Sequence, residues 1–473
     1  MLRRLLIILS EGATEACNDS TFLLPERRFE QSGMNFRSLE RMQQIYDWAW
    51  IEAQVAQTID VWTESNPQWD ESGRHYNFCE QKEREEAYDE ALKAVEQEVR
   101  RAPKTRAQRI ETQDHVVKLF ARFSATALDL EEEAIDLLTN NFLPVGTTLA
   151  HWARRFDPEL SMPDIIQACR NAWTACGLQP LVGNRIEITP SILGYSLLYP
   201  YSDNYLDREE VPVEMKLRFS ERFRCRLRGE RLAALDDRED ALWRLIELIE
   251  GEYPRASYPQ VFDCLLAIHR AQEQSIKQTG IRRHNDANIL RVSCAKGGSS
   301  VLADACLAHG SLTAEESRFA FEWGVLLQLG DDLQDLREDL QRGSATLFSR
   351  AAAAGELLDG VTMQLLNFAV KVGSRMEQLP KGSASLKELL KMSWRSLIVR
   401  AVADSHEFFS ATFLREAERR SPFRFEFLRS RQDRLTSRQG LYAMLFDAFL
   451  EPRERANYVQ LTTNRMASQA GAC

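Results

Sequence analysis

The sequence predicts an all-α protein. Apolar residues recur at three-to-four spacing along most of the chain, the period of a helix with one buried face. Runs of Val, Ile and Thr that alternate with period 2 between turn residues are scarce, so strands have little support. Helix start and stop residues stand where that periodicity needs them. With 473 residues, 44% of them hydrophobic, the chain can bury one large core or two to three ordinary ones. It holds no internal repeat and no low-complexity segment.

The first residues, MLRRLLIILSEGATEAC, join a basic flank to an apolar stretch shorter than a usual secretory core, with Glu11 and Glu15 close behind. They read as a helix start, or a start codon set too early, rather than a signal peptide. Residues 36 to 65 and 110 to 155 carry helical apolar spacing. Between them, EQKEREEAYDEALKAVEQEVRRAPKTRAQR is strongly helix-forming and closes near Pro103. It reads as a solvated face laced with i,i+4 ion pairs, ahead of a partner-binding coiled coil. From about Ile188 the helices become longer and more apolar. In ITPSILGYSLLYPYSDNYLD, Thr189 suits an N-cap and Pro190 the first helical position. LWRLIELIEGEY and YPQVFDCLLAIHRAQEQSIKQTG follow as helices, and ILRVSCAKGGSSVLADACLAHG is apolar but interrupted by Gly297 and Gly298. Thr313 and Glu316 form a capping box for a helix expected to run to about Gln341, with Gly343 at its stop. Further helices are expected toward Tyr458, then a loose tail.

The formal net charge is -10 without Lys/Arg blocks, which argues against general nucleic-acid binding. No apolar run approaches the ~20 residues that span a bilayer. Nine scattered cysteines include no C-x-x-C pair, which argues against zinc and suits free thiols in a reducing cytoplasm, the expected location. The seven histidines lack the short spacings of a metal-binding helix.

The chemistry-bearing stretch is QLGDDLQDLREDLQRG, Gln328 to Gly343. On a helix Asp331, Asp335 and Asp339 stack at i,i+4, with Glu338 and Gln328 joining that face. Anions are disfavoured in the last turns of a helix, and like charges at i,i+4 cost a few tenths of a kcal/mol each. Arg337 and Arg342 relieve part of this. A divalent cation would remove the rest, and hard oxygen ligands suit Mg2+. A second acidic turn, YSDNYLD, places Asp203 and Asp207 one turn apart beside Asn204, just after Pro200, which should kink its helix. Two such turns suggest a facing pair that holds Mg2+ at the mouth of an apolar cavity.

GVLLQLGDDLQDLREDLQRG resembles the second aspartate motif of squalene and phytoene synthases, Q-L-x-N-x-x-x-D-x-x-E-D-x-x-R-G. Gln328, Leu329, Asp335, Glu338, Asp339, Arg342 and Gly343 match in register, and Asp331 replaces Asn. The spacing also resembles the metal triad of terpene synthases and the D-D-x-x-D of chain-elongating prenyl diphosphate synthases. YSDNYLD is similar to the first acidic motif, with Asn204 in place of the second Asp. The resemblance covers roughly Ile188 to Leu450. It implies an isoprenoid synthase helical bundle over residues 181–460, an additional helical N-terminal region over 1–180, and a tail over 461–473.

The implied activity is a terpene synthase: ionisation of an allylic prenyl diphosphate, then cyclisation or quenching of the carbocation. Head-to-head condensation of two prenyl diphosphates is the alternative. Chain elongation ranks third, because no Gly-Gly-Lys-Arg-x-Arg type segment is present, and a non-catalytic helical scaffold stays open. Asp203, Asp207, Asp331, Asp335 and Asp339 would be catalytic, binding Mg2+ (or Mn2+) together with Asn204 and Glu338. AKGGSSVLADA resembles the helix break before the second motif, so Lys296, with Arg342 and Arg226, would bind the diphosphate; close helix packing at its small residues is an equal alternative for this stretch. Tyr195, Tyr199, Phe319, Phe321 and Trp323 could line the carbocation cavity, although core packing is the first expectation for each. A homodimer is compatible with all of this.

Overall fold

The structure, a computed structural model, describes residues 45–69, 74–101, 105–208, 210–275 and 285–436, and every regular element among them is helical. The expected opening helix, Pro103 and the segment beyond Thr436 lie outside the described residues, as do Cys17 and Cys473. The first helices are α1 (Trp48–Thr63), α2 (Phe78–Arg100), α3 (Arg106–Leu128), α4 (Glu132–Asp136) and α5 (Leu143–Phe156), with a π-helical turn at Leu137–Phe142 before α5. Next, α6 (Met162–Val182) and α7 (Pro190–Tyr201) lead into the one-turn α8 (Asp203–Asp207). Then come α9 (Val213–Leu227), α10 (Asp237–Glu252), α11 (Pro259–Ser275), α12 (Asp286–His309) and α13 (Ala314–Gln334). Finally α14 (Leu336–Arg342), α15 (Leu347–Ala353), α16 (Asp359–Gln378), α17 (Ala384–Asp404), α18 (Ala411–Arg419) and α19 (Phe425–Thr436) follow.

Local signals set the helix ends near the acids. Thr189 accepts from the Ile192 N–H at 3.3 Å with Pro190 in the first turn. The Thr313–Glu316 capping box is formed in both directions, and Gly343 ends α14 at φ 71°, where a side chain would be strained. Right after Pro200 and Tyr201 the helix breaks at Ser202, and α8 starts afresh. The expected single helix from Thr313 to Gln341 is two, divided at Asp335 (φ −91°, ψ 9°). Register survives the division, because Asp335 N–H still donates to Asp331 O and Asp339 N–H to Asp335 O.

The expected interruption at Gly297 and Gly298 does not occur: α12 is continuous. It is the central helix, buried nearly all round, which is why its sequence is small and apolar on every face. It packs on α11, α6, α1 and α7, while α13 packs on α12, α17 and α16. The glycines let two backbones touch. A Cβ on Gly297 would come within 2.5 Å of the Gly324 carbonyl oxygen, one on Gly298 would strike the Phe321 ring, and one on Gly324 would collide with the Gly297 carbonyl. The position expected to divide the N-terminal region from the rest, residue 180, falls inside α6, which packs against α7 and α12 in one core.

The charged stretch in α2 is more than a solvated face. It pairs with α3, and its acids reach across the chain: Glu85 takes a fork of bonds from Arg424 at 2.5–3.0 Å, and Asp89 pairs with Arg431. Among the described residues no helix is long and apolar enough to cross a membrane, and Cys79, Cys169, Cys176, Cys225, Cys264, Cys294 and Cys306 are free thiols.

The crossing yields a direct test. Gly324→Ala should lose about 2–3 kcal/mol in urea unfolding, because carbonyl and glycine backbone cannot step aside. Gly251→Ala, where a Cβ meets nothing within 4 Å, should gain about 0.5–1 kcal/mol from helix propensity. Equal effects at the two positions would contradict the contact.

Candidate functional site

The antiparallel crossing of α12 and α13 carries Ser293 and Lys296 on α12 to the acid-bearing end of α13 and α14. Asp332 is the most deeply buried acid there, 6% exposed. It accepts from Gln328 Nε2 at 2.7 Å and Ser293 Oγ at 3.1 Å. Asp331 and Asp339 are half-buried, and Asp335 and Glu338 reach solvent at the rim. Burial pushes Asp332 up to about 6 against the pull of the Gln328 hydrogen bond and the Lys296 charge. Loss of water on its protein side, then the charges of Asp331 and Glu338, raise Asp335 to about 6. Burial, then Asp332 and Asp335, raises Asp339 to about 7.

Two cations face these acids without closing onto them. Lys296 acts electrostatically on Asp332 and Asp339, and Arg170 on α6 acts on Asp335. Among the described residues neither makes an ion pair, and Arg170 Nε is buried with no hydrogen-bond partner. A buried guanidinium nitrogen without an acceptor costs free energy comparable to a lost hydrogen bond. Arg342 sits at the rim, bonded to Glu338 at 2.6 Å. Arg337, expected to relieve the acids, is committed to Glu407 instead by two bonds of 2.9 Å.

The first acidic turn lies at the end of α7. Asn204 donates to Asp164 of α6 at 2.7 Å, and Asp203 accepts from Ser202 at 3.4 Å. The Asp207 side chain lies outside the described residues. Tyr195, one helical stretch earlier, donates to Ser300 O on α12 at 3.4 Å. Its hydroxyl is held well above the usual range by burial, then by the charges of Asp304 and Asp203. Asp304 is itself buried: burial raises its carboxyl well above the usual range, against the pull of Asn171 on α6, which donates to Oδ1 at 3.1 Å. Thus α12 meets the second acidic turn through Ser293 and Lys296, and the helix that leads to the first through Ser300 O.

Arg226 is not at the acids: its buried guanidinium forks onto Glu250 at 2.7 and 2.8 Å. Glu252, next to that acid, bonds the Ser191 N–H at the start of α7, opposite the end that carries Asp203. Phe319, Phe321 and Trp323 are core residues, the first expectation for each. A cavity of about 980 Å³ is lined by none of the acids of either motif.

The residues present fit a hard divalent cation in donor chemistry: the set is all oxygen, and its members raise one another's pKa as uncompensated carboxylates do. They do not form a closed cage. Among the described residues no group of three or more His, Cys, Asp or Glu side chains is arranged to hold a metal ion.

Sequence reasoning missed Arg170 and gave Asp332 no role. A four-residue step overshoots a helical turn by about 40°, so the line 331, 335, 339 drifts around the helix. The step from 332 to 339 drifts only about 20°, and this seven-residue stripe is the one that faces α12. No local signal marks Arg170, because its site partners are more than 120 residues away in sequence.

No known family model matches the chain, and no curated protein sequence matches it.

The acids make stability depend on pH. Their folded pKa values lie above the unfolded carboxylate value near 3.9, so the folded state holds extra protons between about pH 4 and 7. With chelator present, their contribution to stability should fall as pH rises through that window. Asp339→Asn should flatten the fall, raising Tm relative to wild type at pH 7.5 but not at pH 4. An unchanged difference between the two proteins across that range would refute the coupling.

Proposed function

We propose that this chain is a class I isoprenoid synthase, acting as a Mg2+-dependent terpene synthase that ionises an allylic prenyl diphosphate. The observation that carries the reading is that Lys296 and Arg170, which act electrostatically on Asp332, Asp335 and Asp339, make no ion pair among the described residues. A diphosphate with divalent cations complements such a set in charge: its oxygens meet the cations, and the carboxylates meet the metal. Asp331, Asp332, Asp335 and Asp339, together with Asp203 and Asp207, would hold Mg2+. When bound, the metal neutralises charge on the departing diphosphate. Lys296 and Arg170 bind and orient that anion, and preorganised donors of this kind stabilise a leaving group without reorganising. Ser293 and Gln328 hold Asp332 in place. The motif resemblance adds the fold, an isoprenoid synthase bundle. A scaffold would have no use for two cations held short of their partners.

The second reading, head-to-head condensation, is favoured by the in-register match of Gln328, Asp335, Glu338, Asp339, Arg342 and Gly343 to the squalene and phytoene synthase pattern. A product assay separates the two. Purified protein is incubated with Mg2+ and, in turn, geranyl, farnesyl and geranylgeranyl diphosphate, and products are resolved by gas chromatography with mass detection. A cyclic or alcohol product of unchanged carbon number is expected, lost in Asp335→Ala. Lys296→Gln and Arg170→Gln should each lower kcat by about 10²-fold, the scale of one removed electrostatic donor. A product of doubled carbon number would establish condensation instead, and no product from any substrate would sink both readings.

A further inference from the structure

The large cavity lies apart from the acids. Its walls are α16 and α17 on one side and the turn from α3 to α4 on the other, with Phe423 and Leu428 at the start of α19 closing one end. Its volume, about 980 Å³, is at the upper end of small-ligand sites. Apolar side chains from both helices line it, Leu366 and Val370 on α16 and Met392 and Val399 on α17, among polar and charged ones, and Val370 leaves half its surface open. Trp394 forms the inner wall and rests on Trp323 of α13, ring centroids 5.3 Å apart.

Charge in the cavity is almost fully committed. Arg74 pairs with Asp129 at 2.5 Å, Lys391 with Glu377 at 2.9 Å and with Glu388, Arg400 with Asp404 at 2.8 Å, and Arg420 with Glu416. Arg395, on the cavity face of α17 one turn from Met392 and Val399, has no hydrogen-bond or ion-pair partner among the described residues. Glu131, in the opposite wall, is a lining acid without a cation.

We propose that this cavity is a second binding site, for an amphipathic anion: an apolar chain lying between α16 and α17 with one acidic head on the Arg395 guanidinium. An apolar trough with a single uncommitted guanidinium supplies both halves of that recognition. Glu131 disfavours a doubly charged head. The head is a carboxylate or a phosphate monoester, and the two are distinguished by the probes.

Full-length protein is titrated calorimetrically with dodecanoate and dodecyl phosphate, and with dodecanol and dodecylamine as controls. Wild type should bind at least one anion ten-fold or more tighter than either control; the tighter anion identifies the head. Arg395→Gln should erase that preference while dodecanol binding stays, Arg395→Lys should restore part of it, and Val370→Trp should weaken every ligand. Glu131→Gln should strengthen dodecyl phosphate more than dodecanoate. Asp335→Ala should change none of these, so the result stands apart from the fate of the acid site. Absence of binding, equal binding of anions and dodecanol, or an unchanged preference in a folded Arg395→Gln protein overturns the proposal.

Discussion

Two helices pass each other with no side chain between their backbones, and the candidate site depends on that contact. Gly297 and Gly298 on α12 and Gly324 on α13 bring peptide groups within van der Waals reach, a spacing any Cβ would forbid. Because the helices run antiparallel, each turn away from the crossing toward the start of α12 meets a turn nearer the end of α13. Ser293 therefore reaches Asp332, and Lys296 stands where Asp332 and Asp339 both feel it. At an ordinary helix separation of 8–10 Å these groups would be farther apart and better hydrated. The glycines trade conformational freedom for electrostatic proximity.

The electrostatic state that results is unfavourable in isolation. Asp331 and Asp332 lie in the last turn of α13, where the dipole is already negative, and Glu338 and Asp339 follow at once in the first turn of α14; burial strips water from Asp332, Asp335 and Asp339. Arg342 pairs with Glu338 at the rim, whereas Lys296 and Arg170 make no ion pair among the described residues, and Arg170 keeps a buried nitrogen without an acceptor. Natural proteins accept such costs where a ligand later repays them, since selection acts on function above a stability threshold. The same logic separates Arg226 from Arg170. The first is fully satisfied by Glu250 and serves the fold; the second is left open beside an acid.

The all-α class and the helix ends around the acids were legible because they rest on local signals. Thr189, Thr313 with Glu316, Pro200 and Gly343 each act within a few residues, and each does so in the structure. The continuity of α12 was not legible, since glycine pairs that break a helix and glycine pairs that admit a neighbour look alike in sequence. What decides between them is Gly324, about 27 residues later, which no local reading connects. The acid stripe was half legible: the charge density was plain, but its facing residue was misjudged by one position, because i,i+4 counting follows a line that winds away from α12. Arg337 and Arg226 were misread for a related reason. Their partners, Glu407 and Glu250, are distant in sequence and leave no mark near the motif.

The central claim is that the acids and the uncommitted cations form one binding site that a metal and a diphosphate complete together. Thermal unfolding measured with Mg2+ alone, pyrophosphate alone and both tests it most directly, because a ligand that binds only the folded state raises Tm with its concentration. The account predicts a small shift from either alone and a clearly larger, more than additive shift from the pair, lost in Arg170→Gln and in Asp335→Ala. No shift from the pair, or an undiminished one in both variants, would contradict it.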